Sequence, residues 1–151
     1  LADSLARYFI LARVLASRWD GPAIDGEETP ERVLGTVLRE APDVVLLVDS
    51  VDMAAEPGSL ALLRRADLGG YWPSTHRVPL TLLIDYIEAS SGADVLLLAI
   101  QPGQIDLFRP VSRAVSESVS LVVDEILAAL GDRRPPGDGQ KPRVITERCQ
   151  C

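Results

Sequence analysis

The chain has 151 residues, of which 47% are apolar and 25% charged, and this composition is typical of one globular domain with a hydrophobic core. The net charge of -7 argues against nucleic acid as the main partner, because phosphate binding needs clustered Lys and Arg. No apolar run approaches the roughly 20 residues that span a bilayer, and charges at Asp3, Arg7 and Arg13 leave no visible signal peptide.

Helix and strand patterns alternate in the first part of the chain. Apolar residues at helical spacing predict a helix over residues 1–18, and residues 22–26 predict a short strand that ends in a turn. Thr29, as N-cap, followed by Pro30 predicts a helix that runs to about residue 40. Residues 43–48 then predict a strand buried on both faces, because the run is short, continuously apolar and rich in β-branched side chains.

The second part of the chain continues this alternation. We predict a short edge strand over residues 59–63, a loop over 66–73 and a helix over 79–90. A second fully buried strand follows at 94–100, and Ser112 caps a last helix that ends near residue 130. The predicted buried stripes are Leu80, Leu83, Ile84 and Ile87 in the first of these helices, and Val115, Val119, Val122, Val123, Ile126 and Leu130 in the second.

These elements predict an α/β fold, a doubly wound sheet of about four strands with helices on both faces. One expected central strand is missing from the pattern. We place a single domain at residues 1–131 and a disordered tail, rich in Pro, Gly and charge, at 132–151. Cys149 and Cys151 lie one residue apart in that tail, so they form no disulfide framework, and we expect a reducing, cytoplasmic setting.

The first candidate for chemistry is Asp49, which follows the apolar run of the strand at residues 43–48. In open α/β sheets ligands bind at the carboxyl edge of the strands, and Asp49 and Asp52 fall there. Asp49 is therefore a candidate ligand or catalytic group. The alternative is that its side chain caps the following turn. The two acids could also share a proton.

The second candidate is His76, the one histidine in the chain. Either it is an exposed loop residue without a task, or it joins Asp49 as a metal ligand, since imidazole with carboxylate suits nickel or zinc. Two ligands hold a metal weakly. A third ligand would come from Asp3, Asp25, Asp52, solvent or a partner protein.

Other chemistries lack their motifs. The sequence has no Gly-x-Gly-x-x-Gly after a strand and no Gly-Lys-Ser/Thr phosphate loop, so nucleotide binding has no support. It has no Gly-x-Ser-x-Gly for a serine hydrolase. Cys149 and Cys151 have no evident base to activate them, which argues against a cysteine protease.

Several stretches together resemble the nickel-iron hydrogenase maturation endopeptidases, and are most similar to the subgroup that processes the large subunit of the formate hydrogenlyase hydrogenase. The shared features include the strand-end Asp49, a Thr-His-x-x-Pro-Leu segment that contains His76, and an Ile-Gln-Pro segment at residues 100–102. The matching pieces, in order, are residues 24–26, 30–31, 46–53, 57–60, 74–80, 83–85, 99–102 and 110–112.

The resemblance implies a three-layer α/β/α sandwich with a twisted, mostly parallel sheet. It implies an aspartic endopeptidase-like hydrolase that removes the C-terminal extension of a nickel-loaded hydrogenase large-subunit precursor. The nickel belongs to the substrate, and two carboxylates and one histidine of the protease read it. The second carboxylate and the histidine correspond to Asp49 and His76, and Gly26 corresponds to a loop at the cleft. We expect Asp25 and Asp52 to line the same cleft, and the protein to act as a monomer.

The first carboxylate of the family follows a strand that ends in Gly-x-Gly-Asn, which this sequence does not contain. Asp3 is the nearest match, although a shift of one residue would place Ser4 there instead. Either the strand lies outside this sequence or the protein is a degenerate relative. The alternative function is therefore a non-cleaving binder of the precursor or of metal, and a third is a small structural α/β domain.

Overall fold

The computed structural model describes residues 23–26, 30–69, 79–103 and 111–130. Within these ranges the helices are α1 (Leu34–Arg39), α2 (Leu80–Ser91) and α3 (Arg113–Leu130), and the strands are β1 (Val44–Ser50), β2 (Leu60–Arg64) and β3 (Asp94–Ile100). Two single turns of 3-10 helix lie at Pro30–Arg32 and Arg65–Asp67. The helix predicted at residues 1–18 and the tail at 132–151 lie outside the described ranges, as does part of the loop predicted at 66–73.

The described strands form one sheet in the order β1-β3-β2. β1 and β3 are parallel, in a register that runs from Val44 opposite Asp94 to Ser50 opposite Ile100. β2 is antiparallel to β3 and lies at an edge, as the sequence predicted for a strand in this region. The sheet is therefore mixed: its parallel pairing is β1 with β3. Ile24 makes an isolated bridge within the short strand that was predicted at residues 22–26.

Side chains of the sheet alternate between two apolar layers, as the pleat of a strand requires. On one side Val95, Leu97 and Ala99 of β3 pack with α2 in one core cluster. On the other side Leu98 and Ile100 pack with α3 in a second cluster. Helices thus cover both faces of β3, and the predicted α/β/α architecture is confirmed.

Helix α2 follows the sequence prediction closely. All four residues of its predicted stripe are buried, and Ile84 and Ile87 are 0% and 1% exposed. The helix ends at Gly92, which adopts a left-handed conformation with φ of 73° and donates its N–H to the carbonyl of Glu88. A glycine accepts this conformation without the Cβ clash that other residues suffer.

Helix α3 begins as predicted but buries a different residue at its end. The Ser112 hydroxyl accepts the backbone N–H of Val115 at 3.4 Å, which is the expected N-cap contact. Leu127 is buried, whereas Leu130 is 43% exposed, so the prediction that Leu130 belongs to the core is wrong. Leu127 continues the i, i+4 spacing from Val119 and Val123, and the core contact ends there.

The helix predicted at residues 29–40 is divided in the structure. A 3-10 turn at Pro30–Arg32 precedes α1, and Val33 lies between them with φ of -93° and ψ of -2° and no side-chain cap. The short α1 contains Gly35 and Thr36, two weak helix formers, which accounts for its length of six residues. Thr29, the predicted N-cap, lies outside the described residues.

The prediction that β1 is buried on both faces is wrong. Val44 is 56% exposed and Leu46 is 40% exposed, although Val45 and Leu47 pack against the α2 cluster. Val44, Leu46 and Val48 share the face of β1 that looks toward α3, because side chains alternate along a strand. Of these, Val48 packs against the α3 cluster. β1 is the outer strand of the described sheet, so it lacks the second neighbour that covers β3.

Candidate functional site

The sheet brings Asp49 to its carboxyl edge, as the sequence predicted. Asp49 is the sixth residue of β1, lies opposite Ala99 of β3 and is 3% exposed. It shares the strand face of Val45 and Leu47, which pack toward α2. A carboxylate in such a place is costly to bury unless polar groups or a cation compensate for it. In open α/β sheets ligands bind at this edge, which makes Asp49 a candidate ligand-binding group.

Asp49 and Gly26 line one cavity of about 230 Å³. Gly26 follows Asp25, a second acid that is buried at 4% exposure. The other walls are mostly apolar and come from β1, α1, α2 and the segments beside them: Ile24, Val33, Leu34, Val37, Glu40, Pro42, Val44, Val45, Leu46, Leu47, Val48, Leu80, Leu83 and Ile87. The cavity therefore joins an apolar lining to a buried carboxylate at the strand end, which is the composition of a ligand pocket.

Asp52 has different surroundings from Asp49, which is buried. It is exposed, and its Oδ1 accepts the backbone N–H of Ala54 at 3.0 Å and Nε2 of Gln101 at 3.2 Å. These two hydrogen bonds, first that of Ala54 and then that of Gln101, hold the pKa of Asp52 below its ordinary value. Asp52 is thus the acid that caps the turn after β1.

The hydrogen bonds of Asp52 bear on two alternatives left by the sequence. The turn-capping role considered for Asp49 is filled by Asp52. Asp52 hydrogen-bonds within its own loop and to Gln101, so a proton shared between Asp49 and Asp52 has no support in these contacts. The two acids therefore differ in their surroundings: Asp49 is buried at the cavity, and Asp52 is exposed.

His76 and Asp3 lie outside the described residues, so the expectation that they join Asp49 at one site stays a prediction. Within the described ranges, no three His, Cys, Asp or Glu side chains come together as a metal site. No helix in the same ranges is long and apolar enough to cross a membrane.

Gln101 is a structural residue of this edge that the sequence did not single out. It follows β3 directly, is 7% exposed and uses its side-chain amide to hold the loop after β1. A polar residue at the carboxyl end of a buried strand was the available signal, the same signal that selected Asp49.

The fold and the site define an α/β/α protein whose buried aspartate meets a cavity at the carboxyl edge of a parallel strand pair. The family model described as hydrogenase maturation protease matches residues 11–129 of the chain. The chain belongs to the hydrogenase maturation protease family.

Individual relatives agree with this family. The hydrogenase 3 maturation protease of Escherichia coli K12 is 29% identical over 104 residues, which cover 68% of this chain and 66% of that protein, just under two thirds of its length. The crystal structure of a NiFe hydrogenase maturation protease from Thermococcus kodakarensis KOD1 matches with a TM-score of 0.76 and 27% identity, over 85% of this chain and 84% of the other. The solution structure of an endopeptidase from Escherichia coli matches with a TM-score of 0.74 and 27% identity, over 87% and 85%.

Proposed function

We propose that this protein is an endopeptidase that removes the C-terminal extension of a nickel-loaded hydrogenase large-subunit precursor. Membership of the maturation protease family supports the reaction class, and the names of the relatives support the substrate. The observation that carries the proposal is the burial of Asp49 in the lining of the β1 cavity, at the strand end where the family resemblance places a carboxylate.

We assign Asp49 and His76 to contact with the nickel of the substrate, and Asp3 as the third ligand. Carboxylate and imidazole are suitable ligands for a borderline divalent ion such as nickel. In this assignment the nickel arrives with the precursor, so the protease recognises a precursor that has already received its metal.

Hydrolysis of the precursor consumes one water: the scissile C–N bond breaks, a C–O bond forms, and the leaving amine takes up a proton. The substrate nickel, held by Asp49 and His76, acts as a Lewis acid or as a template near the scissile carbonyl. We place Asp25, Gly26 and Asp52 at the substrate cleft. Gly26 contributes the cavity wall beside Asp49, and Asp52 contributes a surface carboxylate that is ionised at neutral pH.

The test is intact-mass spectrometry of a nickel-loaded precursor incubated with the protein. The expected result is the loss of a C-terminal peptide that requires nickel. Asp49→Asn and His76→Ala should each lower the cleavage rate by roughly 100-fold or more, because each removes a group that stabilises charge at the reacting centre. Asp3→Asn tests the third ligand in the same assay.

A matched control is Glu117→Gln, which removes an exposed ion pair with Arg113 on the surface of α3 and should leave cleavage unchanged. Precursor that is bound but not cut would favour the non-cleaving binder. A precursor that is neither bound nor cut would refute both and leave a structural domain. The cytoplasmic location and the monomeric state stay predictions from the sequence.

A further inference from the structure

Gln101 lies at a junction between the central strand and two loops of the carboxyl edge. Its backbone N–H donates to the carbonyl of Ser59 at 2.8 Å, and its own carbonyl accepts the N–H of Gly58 at 2.9 Å. The two residues just before β2 therefore fix the main chain of Gln101. Its side chain forms hydrogen bonds with the loop that follows β1.

The side-chain amide of Gln101 is bound on both ends. Its Oε1 accepts the backbone N–H groups of Met53 at 2.6 Å and Ala55 at 3.3 Å. Its Nε2 donates to Oδ1 of Asp52 at 3.2 Å and to the carbonyl of Pro102 at 3.3 Å. Two accepted and two donated hydrogen bonds use the full capacity of the amide, and they leave one orientation for it.

The loop that Gln101 holds is strained. Ala54 has φ of 53°, in the left-handed region that a residue with a Cβ seldom adopts. Its N–H is bound by Asp52, while the N–H groups on either side of it, those of Met53 and Ala55, are bound by Gln101. Such a conformation persists where the surroundings determine it, and it clusters at functional sites.

The strained loop begins directly after the candidate site. β1 remains in register with β3 through Ser50, and the N–H of Val51 still donates to the carbonyl of Ile100 at 3.1 Å. From Asp52 onward the contacts to Gln101 take over. The backbone around Asp49 is thus held in two ways. Up to Val51 it is held by pairing with β3, and from Asp52 onward it is held by the side chain of Gln101.

We propose that Gln101 is a positioning residue for precursor cleavage: its amide holds the loop from Asp52 to Ala55, which follows the strand end at Asp49, in the shape that presents the surface carboxylate together with the buried one to the substrate. The inference rests on the proposed function. Gln101 itself touches neither the nickel nor the scissile bond in this assignment. It acts through Asp52 and through the backbone that follows Asp49.

The test measures kcat and KM for cleavage of the nickel-loaded precursor by the wild-type protein, by Gln101→Glu, by Asp52→Asn and by the double variant. In Gln101→Glu the acceptor for Met53 and Ala55 remains, but a carboxylate replaces the donor that faced Asp52, and the like charges repel. We expect kcat to fall about 10- to 100-fold, as a displacement of the reacting groups by about 1 Å produces. In the double variant an amide at position 52 donates to the new carboxylate, and kcat should return to within about threefold of Asp52→Asn alone.

Amide hydrogen exchange at Met53 and Ala55 gives a second readout that does not require activity. We expect exchange to accelerate by about tenfold or more in Gln101→Glu and to slow again in the double variant. Repulsion between the new carboxylate at position 101 and Asp52 displaces the retained acceptor oxygen from the N–H groups of Met53 and Ala55, and the amide of Asp52→Asn removes this repulsion. The surface variant Glu117→Gln is the control for both readouts.

Three outcomes would overturn the proposal. One is a Gln101→Glu protein that melts at a lower temperature but keeps its kcat, which would make the residue purely structural. Another is a double variant that stays as impaired as Gln101→Glu, or that does not fold when Asp52→Asn does. A wild-type protein that never cleaves the precursor would remove the proposed function itself, and the positioning role with it, even if exchange at Met53 responds as expected.

Discussion

Two strands of this protein have nearly the same composition and different surroundings. β1 reads Val-Val-Leu-Leu-Val-Asp-Ser and β3 reads Asp-Val-Leu-Leu-Leu-Ala-Ile. In β3, Val95, Leu97 and Ala99 are 0% exposed, whereas in β1 the corresponding apolar run contains two side chains, Val44 and Leu46, that are at least 40% exposed. Both apolar runs correctly predict a strand, but only β3 is buried to the extent that its composition suggests.

The difference comes from the order of strands in the sheet. β3 has a strand on each side, and α2 and α3 pack on its two faces. β1 has β3 on one side, while its other side borders the cavity that Asp49 and Gly26 line. The more exposed strand thus carries the candidate chemistry, and the more buried strand supports it through Gln101.

The largest expected effect is on the buried strand. Leu97→Ala should lower the free energy of unfolding by about 2–5 kcal/mol, because it removes fully buried methyl groups and leaves a cavity between the sheet and α2. Leu46→Ala is its matched control on β1 and should cost about 1 kcal/mol or less, since Leu46 is 40% exposed. Urea denaturation measures both, and equal losses would show that the two strands are equally buried in solution.

The glycines before β2 and β3 also differ in how closely they are surrounded. Gly58 has φ of 85°, and a Cβ at this position would lie 2.8 Å from the carbonyl oxygen of Ala114 and 2.9 Å from the Ser118 hydroxyl. Gly58→Ala should therefore cost about 2–3 kcal/mol, since the backbone strain alone costs about 1 kcal/mol and the close contacts add to it.

The control for Gly58 is Gly92, at the end of α2 and before β3. It has φ of 73°, but no atom lies within 4 Å of a Cβ added there. Gly92→Ala should cost about 1 kcal/mol, the strain of the backbone alone. Thermal or urea unfolding of the two variants separates strain from contact, and a Gly92 variant as unstable as the Gly58 variant would contradict the assignment.

Substitution of valine by threonine tests the burial of the two strands through polarity, because the two side chains have nearly the same volume. Val95→Thr places a hydroxyl among apolar neighbours in β3 and should cost about 1–3 kcal/mol. Val44→Thr makes the same change at the first residue of β1, which is 56% exposed, and should change stability by about 0.5 kcal/mol at most. A measured cost above about 1 kcal/mol at Val44 would mean that this end of β1 is covered in solution.

The spacing of apolar residues along the chain was sufficient to predict individual helices and strands. The spacing of apolar residues gave the buried stripe of α2, the start of α3 and the span of β3, because helical and strand periodicity decide which side chains share a face. The alternation of elements gave the α/β/α architecture, and the position of Asp49 at the end of an apolar run gave its place at the carboxyl edge.

What the sequence left out depends on contacts between distant residues. The exposure of Val44 follows from the order of the strands, which no window of the sequence contains. The task of Gln101 depends on partners 46 to 49 residues away, namely Asp52, Met53 and Ala55. A side-chain amide carries no local pattern for such contacts, whereas a carboxylate after an apolar strand suggests a site by its charge.

The smallest expected effect concerns the link between the two strand ends, the hydrogen bond from Gln101 to Asp52. The hydrogen bonds to Ala54 and Gln101 place the pKa of Asp52 in the folded protein below its ordinary value of 3.8. The ionised carboxylate therefore stabilises the fold above pH 3.8, and this contribution is lost as the pH falls through the lower, folded pKa. Because Asp52 is fully exposed, the effect is small and is best measured as a difference between proteins.

The comparison is between wild type and Asp52→Asn in urea at pH 7 and near pH 3. At pH 7 the wild type should be the more stable of the two, since its ionised carboxylate accepts both hydrogen bonds. Near pH 3, below the ordinary value of 3.8, the difference should shrink, because the unfolded wild-type chain takes up a proton at Asp52 more readily than the folded chain does. A difference that stays constant or grows on acidification would show that these two hydrogen bonds do not stabilise the charge of Asp52.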